Sequence, residues 1–113
     1  MPFINITTNA ELNKGRELKL KTALGEAITA LPGKSEAWLM LAINSHTVMY
    51  FKGTNDLCAM IEVSIYGKQS NEAKDALTQK VTKAVFDELK VPPERIYVSY
   101  RETPDWGLNG SNF

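Results

Sequence analysis

At 113 residues, with 43% hydrophobic and 23% charged side chains, the chain is predicted to form one globular domain spanning residues 1–113; a second core would lack chain, and disorder would need fewer apolar residues. Thirteen basic and thirteen acidic residues cancel, which leaves no positive field to gather nucleic acid or an anionic membrane surface. No apolar run approaches the ~20 residues of a membrane span, no secretion leader is recognisable, and a lone cysteine, Cys58, excludes an internal disulfide, so the cytoplasm is the expected compartment.

The stretch from Pro2 to Thr8 is rich in β-branched residues and reads as a strand ended by Asn9-Ala10. Between Leu18 and Leu31, the residues Leu20, Ala23, Leu24, Ala27, Ile28 and Leu31 recur at helical spacing, and Pro32-Gly33 stops that helix. Trp38 to Ile43 is an uninterrupted apolar run, predicted to be a strand covered on both faces. Val48-Met49-Tyr50-Phe51 is expected as a short extra strand ending at Gly53.

The pattern then repeats. Leu57 to Tyr66 reads as a buried strand, and a helix capped by Ser70 or Asn71 follows, with Ala73, Leu77, Val81, Ala84, Val85 and Leu89 as its apolar stripe. Pro92-Pro93 breaks the chain before a strand from Ile96 to Arg101, in which Ile96, Val98 and Tyr100 alternate with Tyr97, Ser99 and Arg101. The tail from Trp106 to Phe113 is too apolar for a plain loose end.

Two right-handed βαβ units side by side imply an α+β fold: a four-stranded mixed sheet with both helices on one face. The opposite face is expected to carry enough Leu, Ile, Val and Met to require covering by further copies of the chain.

Strands of one βαβ unit are parallel and start at the same sheet edge, so Pro2 should neighbour the Lys34–Trp38 stretch. A proline freed by loss of Met1 would expose a secondary amine. Such a group, ordinarily protonated at neutral pH with a pKa of ~7.7–8.0, becomes a usable base when burial and a nearby lysine disfavour its charge. Position alone also allows Pro2 to be a plain strand opener and Lys34 a solvated lysine. Tyr97 and Tyr100 read as packing residues, Cys58 as a buried thiol, and His46, with no Cys or His at metal spacing, is assigned no role. The chain has neither a phosphate-binding Gly-rich loop nor a G-x-S-x-G turn.

Several motifs in fixed order carry a resemblance. Met1-Pro2 opens a strand, Thr8-Asn9 ends it, and Gly33-Lys34 precedes Trp38-Leu39-Met40. Phe51-x-Gly53-Thr54, Ser64-Ile65-x-Gly67, Pro93-Glu94-Arg95-Ile96-Tyr97-Val98 and Trp106-Gly107-x-Asn109-Gly110-Ser111-Asn112-Phe113 complete the set. With these, the chain resembles the macrophage migration inhibitory factor and D-dopachrome tautomerase family along nearly its whole length.

The resemblance implies a homotrimeric barrel with three active sites between neighbouring subunits, and no metal or cofactor. It implies Pro2 as base and then acid, interconverting keto and enol forms of a small aromatic 2-oxo acid such as phenylpyruvate. Lys34 would hold the substrate carboxylate or developing enolate charge, and Tyr97 would donate a hydrogen bond from the adjacent subunit. Trp38 and Phe113 would form aromatic walls. Three positions depart from the family pattern: Ser99 replaces an Asn, Tyr66 replaces an Ile whose backbone N–H contacts substrate, and Leu108 replaces a Trp or Phe. The family's Cys-x-x-Cys is absent after Cys58, so no oxidoreductase activity is expected. The resemblance also implies an alternative, a signalling protein secreted without a signal peptide, whose partner is a protein receptor and whose pocket is vestigial; a trimeric binding module without chemistry is the expectation if Met1 is retained.

Overall fold

The computed structural model describes all residues, 1–113. Strand β1 (Pro2–Thr8) leads to helix α1 (Lys14–Ala27), strand β2 (Met40–Asn44), strand β3 (Ala59–Tyr66), helix α2 (Asn71–Leu89) and strand β4 (Ile96–Thr103). A two-stranded hairpin, β5 (Gly107–Leu108) and β6 (Ser111–Asn112), closes the chain. The sheet order is β2-β1-β3-β4; β1 runs parallel to β2 and antiparallel to β3, and β3 runs parallel to β4. This is the mixed sheet that two βαβ repeats imply, and no helix is long and apolar enough to cross a membrane.

Each helix begins where a side chain satisfies its first free amides. Asn13 accepts from Arg16 N–H at 2.8 Å, so α1 starts well before the apolar stripe that signals it; Ser70 accepts from Ala73 N–H at 3.1 Å and decides the cap of α2. The last turn of the first helix, Ile28–Ala30, tightens to 3-10 geometry before Pro32. Lys90, left-handed at φ 61°, ends α2 ahead of the two prolines.

The core lies between the helices and one sheet face. Ile4, Ile6, Ile61, Val63 and Ile65 meet Leu20, Leu24, Ile28, Leu77, Val81 and Val85, all of them fully buried. At about 1.5–3 kcal/mol for each buried aliphatic side chain, this layer is the main favourable term in folding. Thr8 is the one buried polar side chain, and its hydroxyl is satisfied twice: it donates to the Cys58 carbonyl at 2.7 Å and accepts from Ala10 N–H at 3.1 Å.

Three expectations are corrected. The second strand starts at Met40, not Trp38, because residues 36–38 form a 3-10 turn; Met40 is 69% exposed, so this strand is not covered on both faces in the single chain. Val48–Phe51 forms no strand. Only the Phe51–Thr54 bridge is present, and the segment joins neither of the free sheet edges at β2 and β4. The uncovered sheet face is also not predominantly apolar. Alternation turns Asn5, Thr7, Asn44, Glu62, Ser64, Ser99 and Arg101 to that side together with Phe3, Met40, Met60 and Tyr97. Asn44 Nδ2 donates to Asn5 Oδ1 at 2.8 Å and Asn5 Nδ2 to Glu62 Oε1 at 3.2 Å, a polar row running across three strands.

Candidate active site

Parallel pairing of β1 with β2 places Phe3 opposite Met40, which sets the start of the chain beside the Lys34–Trp38 turn. Antiparallel pairing with β3 places Pro2 opposite Ile65 and thus brings the end of β3 to the same edge. The turn that carries Lys34 is fixed by Lys34 N–H donating to Leu31 O at 3.0 Å and by Gly33 in the left-handed region at φ 81°, a conformation glycine adopts at low cost.

Lys34 and Tyr66 form the centre of the cluster. Lys34 Nζ donates to Tyr66 O at 3.1 Å, and Tyr66 N–H donates to Met1 O at 3.2 Å. Pro2 is buried at the strand start, facing the helix side with Ile4 and Ile6. The amino group of Met1 has its pKa lowered from 8.0 to about 6, through loss of hydration first, then through a hydrogen bond with Lys34 and the lysine charge. This end of the sheet therefore disfavours a protonated amine.

The aromatic neighbours are unevenly placed. Phe113 stacks obliquely on Tyr66 with ring centroids 5.4 Å apart, its backbone N–H donating to Trp106 O at 3.0 Å, so the terminal hairpin lies over the cluster. Trp38 is at the same sheet edge and 58% exposed, while Leu108 sits on β5 and is 46% exposed.

Tyr97 and Ser99 are not brought to Pro2 within one chain. Tyr97 is paired with Met60 and Ser99 with Glu62, whereas Pro2 is paired with Ile65. Met60 and Ile65 are five positions apart on β3, or roughly 16 Å at the rise of an extended strand. Ser99 faces the open side of the sheet, opposite to Pro2.

Two supports of the site carry no signal in the sequence. Gln69 Nε2 donates to Pro32 O at 3.3 Å and so ties the loop after β3 to the turn holding Lys34. Gln69 N–H donates to Glu102 Oε2 at 2.8 Å, and Glu102 also receives Lys74 Nζ at 2.8 Å. A glutamine in a polar loop looks like any solvated residue until its partners are known. No deep pocket surrounds Lys34 in the single chain: a cavity of about 270 Å³ lies at the far end, lined by residues including Asn9, His46, Val48 and Tyr50. His46 there is exposed and 3.5 Å from Glu11, and Cys58 is a buried free thiol.

The profile of the family described as macrophage migration inhibitory factor (MIF) matches residues 1–113. A macrophage migration inhibitory factor homolog of Brugia malayi is 31% identical over 115 residues, covering 100% of this chain and 99% of the relative. Macrophage migration inhibitory factor of Mus musculus is 27% identical over 118 residues, with 100% and 99% coverage. Among solved structures, Leishmania major MIF2 superposes with a TM-score of 0.93 at 30% identity, covering 100% of this chain and 97% of that one. Full-length agreement in sequence and in fold shows that the chain belongs to the macrophage migration inhibitory factor family.

Proposed function

We propose that the chain is a keto–enol tautomerase for phenylpyruvate-like aromatic 2-oxo acids, with the Pro2 nitrogen, free after removal of Met1, as its base and then its acid. The observation that carries this reading is the environment at the start of β1, where burial and Lys34 lower the pKa of the Met1 amino group, one residue before Pro2, to about 6. The same surroundings acting on a free Pro2 nitrogen favour its neutral form, which accepts a proton without first having to lose one.

The neutral nitrogen takes the proton from the carbon alpha to the ketone, and the resulting ammonium returns it to the alternative atom. Lys34 binds the carboxylate or balances charge on the enolate oxygen, an interaction strengthened where water is excluded. The Tyr66 N–H, occupied by the Met1 carbonyl at 3.2 Å when Met1 is present, becomes a free donor once it is gone. Trp38, Phe113 and Leu108 wall the substrate, and Ser99, which its own sheet also holds away from Pro2, offers a hydroxyl only from another copy.

Tyr97 serves as a hydrogen-bond donor only from another copy, because its own sheet carries it away from Pro2. A homotrimer in which each site borrows Tyr97 from its neighbour supplies that donor. The test compares enol–keto conversion of phenylpyruvate by Met1-free protein and by Pro2→Gly. A loss of at least ~100-fold supports proline catalysis, and equal rates overturn it.

A further inference from the structure

Arg95, two residues before Tyr97, directs its guanidinium into the loop that follows β2. Its Nε donates to Leu57 O at 2.9 Å, and its Nη2 faces the carbonyls of Phe51, Asp56 and Thr54 at 3.2, 3.1 and 3.3 Å. Four carbonyl oxygens of one loop thus converge on a single planar cation, an arrangement that the fixed fork of arginine serves and a lysine ammonium does not. Reciprocal Phe51–Thr54 backbone bonds of 2.9 and 3.1 Å close the turn, and Asn9 Nδ2 donates to Asn55 O and Asp56 O at 3.0 and 3.1 Å from the other side.

This frame presents the ring of Phe51. The Arg95 guanidinium lies 5.2 Å from its centroid, and Tyr97 meets it edge to face at 5.0 Å and 83°. The two tyrosines of β4 are held differently. Tyr100 is pinned by Thr78 Oγ1 and the Lys74 carbonyl, both at 2.8 Å, whereas Tyr97 is 61% exposed and restrained by its contact with Phe51.

We propose that Arg95 and Phe51 are positioning residues that hold Tyr97 in one side-chain orientation, so that its phenol reaches a neighbouring copy's site already aimed; this rests on the tautomerase reading above. Arg95 locks the loop, the loop locks the Phe51 ring, and the ring limits the swing of Tyr97. Such pre-arrangement lets a donor act without losing side-chain freedom at the moment of reaction.

The test is a double-mutant cycle on Met1-free protein with phenylpyruvate, with thermal melts for each variant. Phe51→Leu should lower kcat/KM by roughly three- to tenfold, mainly in kcat, because an edge-to-face contact has about that strength. Phe51→Tyr, which keeps the ring, should restore it. In the Tyr97→Phe background, Phe51→Leu should add no further loss, since no hydroxyl remains to aim. Arg95→Lys should behave as Phe51→Leu does; if it fails to fold, the Phe51 cycle decides alone. Equal losses in both backgrounds, or no loss in either, overturn the positioning role. Full activity of Tyr97→Phe would remove Tyr97 from the proposed reaction and this inference with it, whereas a slow Tyr97→Phe with an additive cycle overturns the positioning role alone.

Discussion

Lys34 donates its ammonium proton to the carbonyl of Tyr66 at 3.1 Å, across 32 residues of sequence, and this contact joins the two βαβ repeats at the edge where the chain starts. The lysine thereby holds its charge beside the amino-terminal strand instead of extending into water.

Replacing Lys34 should act twice. Lys34→Gln removes a charged hydrogen-bond donor, which predicts a fall in kcat/KM of roughly 10- to 100-fold. It also removes a charge that disfavours the protonated amine. The base works only when neutral, so the rate falls as pH drops through its pKa; the acid limb of the profile should move upward in Lys34→Gln, toward the ordinary amine value. Rates measured from pH 4 to 9 on both proteins check the sign.

Glu102 is held below its ordinary value of 4.5, first by the hydrogen bond from Lys74 and then by Gln69 N–H. A depressed carboxylate contributes stability that is present above the unfolded value and lost as pH falls through the folded one. Urea unfolding should therefore find Glu102→Gln less stable than the parent at pH 7, with the gap closing below pH 4.5. A gap that persists at pH 2 would contradict this account.

Thr8→Val should cost about 1–3 kcal/mol, because the valine leaves the buried Ala10 N–H without its partner and the Cys58 carbonyl without its donor. Thr8→Ser, which keeps both bonds, should lose less. Urea midpoints for the pair separate the hydrogen bonds from the methyl group.

Lys90→Gly should stabilise the chain by about 0.5–1 kcal/mol, since Lys90 sits at φ 61° and glycine adopts that conformation without a Cβ clash. A rise in melting temperature checks it.

Much of the fold was legible because it rests on periodicity. The bounds of β1 and the apolar stripe of α2 were readable residue by residue, since burial against one sheet face imposes spacing that no loop reproduces. The juxtaposition of Pro2 with the Lys34 turn followed from the parallel direction of paired strands. Other features depended on partners distant in sequence. Trp38 looked like strand because an apolar run does not distinguish a 3-10 turn from an extended segment. The Val48–Phe51 run has the composition of a strand, yet it pairs with neither free sheet edge of its own chain, and composition alone does not reveal whether a strand finds a partner. Gln69 and Arg95 act through backbone carbonyls, which every residue possesses, so residue type alone does not mark their targets.

The polar row of Asn44, Asn5 and Glu62 has a consequence for association. The middle of the open sheet is wettable, whereas Trp38, Met40, Val48, Tyr50 and Leu108, each 46% exposed or more, lie toward the strand ends, the loops and the terminal hairpin. Were copies of the chain to associate through this face, their cohesion would reside at the rims. A ring closed through such rims would enclose a hydrated lumen, and a salt or pH change reaching that lumen would find carboxylate and amide groups instead of a greasy seam.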